Sequence, residues 1–303
     1  MSSRASTAAT SLAARRRWRI DPAYVFTLPA VILLALVLLI PLAFVLNLSL
    51  QTEVGRGDMA YVGLDNYQRF IGDPYFWNAV RNTTVFTIAC VVLHLLIGMA
   101  TALLLNKDIK ARTAFRISAL VPWMFSSVVV AALWRWMFSA EFGVINDILD
   151  RIGFHEQIAW LGSIDLALPA VIFTNAWRGF PFVMVMILAG LQAIPREQYE
   201  AAAVDGASRW SSFRYVTLPH LRYVISIGLV LDTIWTFKYF DLVQVMTGGG
   251  PANATEVLTT LVYRNAFEYF KFGYAAAIAV MMFLVLLAFT LFYVRLALRE
   301  EEK

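Results

Sequence analysis

The chain has 303 residues, 60% of them hydrophobic and 15% charged, with a formal net charge of +4. An average soluble domain is roughly 45–50% apolar and about 25% charged, so these values exclude an ordinary soluble fold, a disordered chain and a fibre. The single cysteine, Cys90, excludes an intramolecular disulfide and a four-thiolate metal site.

Taken in order, the chain opens with a Ser/Ala/Thr-rich stretch of about fifteen residues whose composition predicts disorder. Arg15-Arg16-Arg17-Trp18-Arg19 follows and suits an anchor beside a membrane helix. Crossing hydrocarbon takes about 20 apolar residues. Six segments qualify, at about 24–50, 79–105, 113–138, 164–191, 223–246 and 273–298. The first is too long for a signal peptide and has no small-residue cleavage pattern after it. The fifth is interrupted by Asp232, Lys238 and Asp241. Asn66-Tyr67, Tyr75-Phe76-Trp77 and Trp160 suit interfacial aromatic positions in ordered outer loops.

Lysine and arginine distribution sets the orientation. With a cytoplasmic N-terminus, the inner segments 1–23, 106–116, 192–222 and 295–303 carry 16 basic residues. The outer loops 51–78, 139–163 and 247–272 carry 5. Both termini are therefore expected in the cytoplasm. The expected division is a tail at 1–23, a first span and outer loop at 24–78, a membrane core at 79–298 and a tail at 299–303.

The loop 192–222 reads as helix, turn, helix. Pro195 suits a first turn, and Glu197 suits the positive end of the helix dipole. Ala201, Ala202 and Ala203 are strong helix formers of minimal bulk. Gly206 can take the left-handed conformation that closes a helix, and Ser208 can cap the next, which carries Trp210, Phe213 and Val216. Pro219 is expected to end it. An alanine-faced helix admits the close approach of another protein; an interfacial helix lying on lipid headgroups is the alternative.

Glu200-Ala201-Ala202, Asp205-Gly206-Ala207, Phe213 and Leu218-Pro219 match the EAA motif of ABC importer permeases at its usual spacing. Gly63-Leu64-Asp65-Asn66-Tyr67 resembles the GLxNY of carbohydrate-type permeases. Thr247-Gly248-Gly249-Gly250-Pro251, with Tyr263, Ala266-Phe267 and Gly273-Tyr274-Ala275-Ala276, resembles the first, maltose/glycerol-phosphate "F/A"-type permease subunit. The resemblance runs from about residue 22 to 298. It implies an all-α polytopic protein of the type I importer permease fold, with six transmembrane helices in a bacterial cytoplasmic (inner) membrane. It also implies a homologous second permease subunit, two ATP-binding subunits and an extracytoplasmic solute-binding protein. The EAA loop would be the coupling helix, with Glu200 contacting the ATPase and Gly206 allowing the turn. The chain has no G-x-x-x-x-G-K-[ST], and Gly248–Gly250 reads as a tight outer turn. ATP and Mg are thus expected on partner subunits, with no cofactor on this chain. A role for the basic cluster in nucleic-acid binding is not expected beside a membrane span.

Charges within the spans are candidates for the solute path. Arg178 lies about 21 Å from the outer end of its span and Asp232 about 14 Å from the inner end of its own, at 1.5 Å per residue. The two reach similar depths and are expected to face the interior and to come within salt-bridge reach in at least one state. Lys238 and Asp241 are spaced i,i+3 and can pair on one helix. Charges paired only to hold helices together are the alternative reading. Trp177, Trp235, Phe237, Tyr239 and Phe240 could stack on sugar faces. Pro122, Pro169 and Pro181 can break helices or be tolerated within them.

The function expected is import of a sugar or sugar-derived solute, anionic ones included, by a permease without enzymatic activity. A permease for another small polar solute is the alternative. A membrane transferase would need a convergent catalytic set, and His94, His155 and His220 stand in three separate segments without acidic partners nearby in sequence. A secondary transporter would show inverted repeats with broken helices, and the sequence shows no such repeat.

Overall fold

The structure is a computed structural model that describes residues 22–54 and 58–301, with side chains over 26–54 and 58–295. The basic cluster Arg15–Arg19 and the Ser/Ala/Thr-rich start lie outside the described residues. The chain divides into two units, Met1–Val45 and Leu46–Lys303. The first unit holds most of α1 (Pro22–Ser49), which passes through Pro29 and Pro41 without interruption. Its stretch Phe26–Ser49 is apolar all round, as a helix bathed in lipid must be.

The second unit opens with an antiparallel hairpin, β1 (Gln51–Val54) and β2 (Asp58–Tyr61), with Gln51 opposite Tyr61. Gly63, at φ +59°, turns the chain into α2 (Asp65–Ile71). Asn66 is buried there, donating to the carbonyls of Ser49 (2.9 Å) and Gln51 (2.7 Å), so it stitches the hairpin rather than facing the interface. Tyr75 and Trp77 are exposed as expected of interfacial aromatics, whereas Phe76 between them is core.

Helix α3 (Pro74–Asn106) starts at Asp73, whose side chain accepts from the amide of Tyr75 at 2.9 Å, and has proline in its first turn. Next come α4 (Arg112–Met124), α5 (Ser127–Met137), α6 (Val144–Arg151) and α7 (Ala167–Gln192). Beyond α7 lie α8 (Arg196–Val204), α9 (Arg209–Ser212), a π-helical turn (Phe213–Thr217) and α10 (Leu218–Phe237). The chain continues through α11 (Asp241–Met246), α12 (Leu258–Tyr263), a second π-helical turn (Arg264–Glu268) and α13 (Phe272–Glu301).

Four described helices are long and apolar enough to cross a membrane: Phe26–Ser49, Pro74–Asn106, Ala167–Gln192 and Phe272–Arg295. The protein is an all-α membrane protein apart from the short hairpin. Two of the six expected spans are not single helices. The third is divided into α4 and α5, bent by 94°, and counts as a fifth span if the pair crosses together. Pro122 removes a helical hydrogen bond just before the break, and Phe125 and Ser126 take extended backbone (ψ 145° and 142°). The fifth is divided at 238–240, within its polar stretch, into α10 and α11. Pro181 lies inside α7 without breaking it. Pro219 does not end the second loop helix as expected. It sits in the first turn of α10, and the wider π turn before it absorbs the missing amide.

Two hydrophobic clusters are stacked along α3 and α7. The loop-side cluster joins Ala102 and Leu105 of α3, Val183, Met184 and Ile187 of α7 and Leu221 of α10, with Leu120 of α4 packed against it. The far-side cluster joins Phe86 and Cys90 of α3, Val171 of α7, Trp134 of α5 and Leu242 and Met246 of α11. A third joins α3, α12 and α13 through Ala79, Leu261 and Ile278.

Candidate functional site

The α8–α9 loop is built as its residues dictate. Gly206 closes α8 at φ +75°, where a side chain would be strained. The amide of Ala207 donates to Ala202 O (2.9 Å) and that of Gly206 to Ala203 O (3.1 Å), which satisfies the last carbonyls of the helix. Ser208 caps α9, accepting from the amide of Ser211 at 3.2 Å. The Tyr199 hydroxyl meets Thr217 Oγ1 at 3.0 Å, and Ile194 is buried in the loop-side cluster, so the loop is tied to the helical core at both ends.

The surface this presents is open. No residue of α8 is buried. Glu200, Ala201, Asp205 and Gly206 are exposed, and Ala202 and Ala207 are half-buried. Val204 is 88% exposed and Trp210 67%, a large apolar exposure for so short a segment. Phe213 is half-buried with its ring stacked on Trp210 at 5.6 Å, while Leu218 and Pro219 are exposed at the start of α10.

Between the two stacked clusters lies a polar layer. His94 of α3 and Asp232 of α10 are both buried, with Nδ1 2.9 and 3.1 Å from the two carboxylate oxygens. The Asn175 carbonyl of α7 lies 3.1 Å from Nε2. Both ring nitrogens thus face oxygen atoms, the carboxylate of α10 on one side and the carbonyl of α7 on the other. Gly179 makes room for the ring, since a Cβ there would stand 2.2 Å from His94 Nε2.

Arg178, one helical turn further along α7, bridges both helix breaks. Its Nη1 donates to the Tyr239 hydroxyl at 2.6 Å, and its Nη2 to the Phe125 carbonyl at 3.4 Å. Arg178 and Asp232 do not pair in this state, because each charge has another partner. Lys238 and Asp241 do not pair either, since the helix that would have spaced them breaks at 238–240. Asp241 instead accepts from Ser127 Oγ of α5 at 2.9 Å. Lys238 and Asp241 are exposed, as is Trp235, whose ring packs on Phe182 at 4.8 Å. Trp177 turns away into the far-side cluster against Trp134, at 5.6 Å.

The structure thus brings together Arg178, Tyr239 and the breaks at Phe125 and Lys238, and pairs Asp232 with His94 instead. His94, Phe125 and Ser127 are the members missed from the sequence. The sequence has no acidic residue near His94, and the carboxylate it meets lies 138 residues away in the chain. His155 does have an acidic partner nearby in sequence, Asp150 at 2.7 Å, and both are exposed.

Broken apolar helices around a polar layer, with a protruding helix–turn–helix between α7 and α10, define a membrane transport component. Residues 94–301 match the family described as the binding-protein-dependent transport system inner membrane component, and the chain belongs to that family, as a permease of the carbohydrate-uptake type of ABC importer. It is 37% identical over 270 residues to the sulfoquinovosyl glycerol transport system permease protein SmoG of Agrobacterium fabrum, covering 88% of this chain and 87% of that one. It is 34% identical over 273 residues to the trehalose/maltose transport system permease protein MalF of Thermococcus litoralis, covering 90% and 92%. In fold it resembles a chain of a bacterial ABC transporter involved in the import of the acidic polysaccharide alginate. The TM-score is 0.81 at 24% identity, covering 92% of this chain and 95% of that one. The protein is a multi-pass component of the inner membrane.

Proposed function

We propose that this chain is one of two homologous permease subunits in a complex with two ATP-binding subunits, that one of these docks on its α8–α9 loop from the cytoplasm, and that an extracytoplasmic binding protein delivers a sugar or sugar-derived solute, anionic ones included. The observation that carries the docking is α8 itself, a helix without a buried residue that ends on the exposed Val204 and is followed by the exposed Trp210. ATP and Mg belong to the partner subunits in this reading, and both termini lie in the cytoplasm. Six membrane crossings follow if α4–α5 and α10–α11 each cross as a broken span.

The solute path runs along the face where Trp235, Lys238 and Asp241 are exposed at the helix breaks. Charges at membrane depth are costly against lipid, so such a face is covered by a partner subunit or by a water-filled cavity. Lys238 and Arg178 supply cationic donors there, which suits the sulfonated solute of the Agrobacterium relative and the acidic polysaccharide of the alginate transporter. Affinity purification of the tagged chain from its native membrane tests the assembly, with an ATPase and a second permease expected to co-elute. Their absence from an intact preparation would remove the reading. A panel of sulfonated, carboxylated and neutral glycosides, screened against the binding protein, decides the solute class.

A further inference from the structure

On the face that the proposed orientation turns outward, segments far apart in the chain enclose a cavity of about 600 Å³, the size of a small-molecule pocket. The end of α2 and the start of α3 line it together with the second π-helical turn and the start of α13. None of its lining residues belongs to α7, α10 or α11, so it is separate from the site around Arg178. The outer loops carry five basic residues, and three of them, Arg69, Arg264 and Lys271, line this one cavity. Arg264 is spent on Glu256, on Asn253 and on the Gly248 carbonyl. Arg69 and Lys271 are not spent. Among the described residues neither makes an ion pair or a side-chain hydrogen bond, and each lies against a tyrosine ring. Arg69 is 4.6 Å from the centre of Tyr274, and Lys271 is 5.4 Å from that of Tyr269. A ring face attracts the charge but supplies no lone pair for the N–H groups. Asp73 lines the same cavity, accepting from the Tyr75 amide at 2.9 Å and the Tyr274 hydroxyl at 2.6 Å. About two of the four lone-pair sites of that carboxylate remain. Tyr75 and Tyr269, 61% and 55% exposed, add open ring surface.

We propose that this cavity is a second, outer binding site for a soluble sugar acid, a pyranose carrying a carboxylate or sulfonate, apart from the solute path. Arg69 and Lys271 take the acid group by charge-assisted hydrogen bonds. Asp73 accepts from the hydroxyls, and Tyr75 and Tyr269 cover the apolar faces of the sugar ring. Two cationic donors beside one anionic acceptor make the site selective. A sulfate ion is repelled by Asp73 and offers it no proton, and a neutral sugar leaves both cations unanswered. A sugar acid answers both. The inference goes beyond the proposed function, and only the side of the membrane on which the cavity opens rests on that reading.

Saturation-transfer NMR on the assembled transporter in phosphatidylcholine nanodiscs, without binding protein or nucleotide, tests the site with sodium glucuronate, glucose and sodium sulfate. Nanodiscs leave both faces open, so the result does not depend on the orientation. Glucuronate should show transfer, glucose should show little, and equimolar sulfate should not displace glucuronate. Arg69→Gln and Lys271→Gln should each weaken glucuronate binding about tenfold or more, as the loss of a hydrogen bond between charged groups does. Tyr269→Ala should weaken it less, and Lys238→Gln, in the proposed solute path, should leave it unchanged. Binding that survives both cation variants, or that is lost in Lys238→Gln, overturns the outer site. Equal transfer to glucose, or displacement by sulfate, overturns the sugar-acid class. Replacing part of the lipid with phosphatidylglycerol should change nothing; competition from it would make the cavity a headgroup site and overturn the proposal. Should one cation variant fail to assemble, the other and Tyr269→Ala carry the test. If no ATPase assembles with the unsubstituted chain, the permease reading has failed instead, and the chain alone in nanodiscs still decides the site by the same comparison.

Discussion

Glu256 is a carboxylate with 1% of its side chain exposed, held against Arg264 beside the Gly248–Gly250 turn. Arg264 is better provided, donating also to the carbonyl of Gly248 and to Asn253 Oδ1, each at 2.8 Å. The asymmetry makes a prediction. Arg264→Gln strands a buried anion and should cost about 3 kcal/mol, while Glu256→Gln leaves the arginine its other acceptors and should cost less. Burial pushes the Glu256 carboxyl above its ordinary range, against the opposing pulls of Thr260 and Arg264. The folded protein therefore binds that proton more tightly than the unfolded chain does. The group's stabilising contribution is full below the ordinary carboxylate value, near 4.3, and is lost as pH rises through the raised one. Thermal unfolding in detergent from about pH 7 to about pH 4.5 should show the parent gaining on Glu256→Gln as the pH falls; a constant difference would contradict the sign.

Helices whose signal is local were legible in the sequence. The long apolar runs gave α1, α3, α7 and α13 within a few residues of their ends, and Gly206 and Ser208 announced the loop because caps depend on a few adjacent residues. The breaks were not legible as breaks. Pro122 bends one helix and Pro181 leaves another intact, so proline alone does not decide. What stabilises the opened backbone at Phe125 is Arg178, 53 residues away. The same distance effect hid the His94–Asp232 pair, 138 residues apart in the chain. For the loop itself, Gly206→Pro destroys the left-handed closure of α8, and Glu200→Lys inverts an exposed charge on it. Both variants should insert normally and assemble poorly or hydrolyse ATP without uptake. Normal uptake at normal expression in both would show that α8 is not the coupling element.

Sixteen basic residues against five set the proposed orientation, and the fold offers direct reporters of it. Glu197 on α8 and Glu156 in the segment after α6 are both exposed, so cysteines there can be reached without disturbing the core. In intact cells a membrane-impermeant maleimide should label Glu156→Cys and spare Glu197→Cys, and inverted vesicles should give the opposite result. Labelling of Glu197→Cys in intact cells would reverse the orientation and leave the ATPase on the wrong side of the membrane.

The exposed Val204 and Trp210 of the α8–α9 loop have a further consequence, for a cell that makes too much of this one chain. Uncovered apolar side chains of this size are what chaperones and proteases select, and about 1–2 kcal/mol of stability alters abundance several-fold. Synthesised without its companions, the orphan chain should have a short half-life in a pulse-chase experiment, and production of the ATPase alone should lengthen it. Trp210→Ser should lengthen it without any companion, at the expense of uptake. Stoichiometry among the subunits would then be enforced by degradation of the excess rather than by matched synthesis.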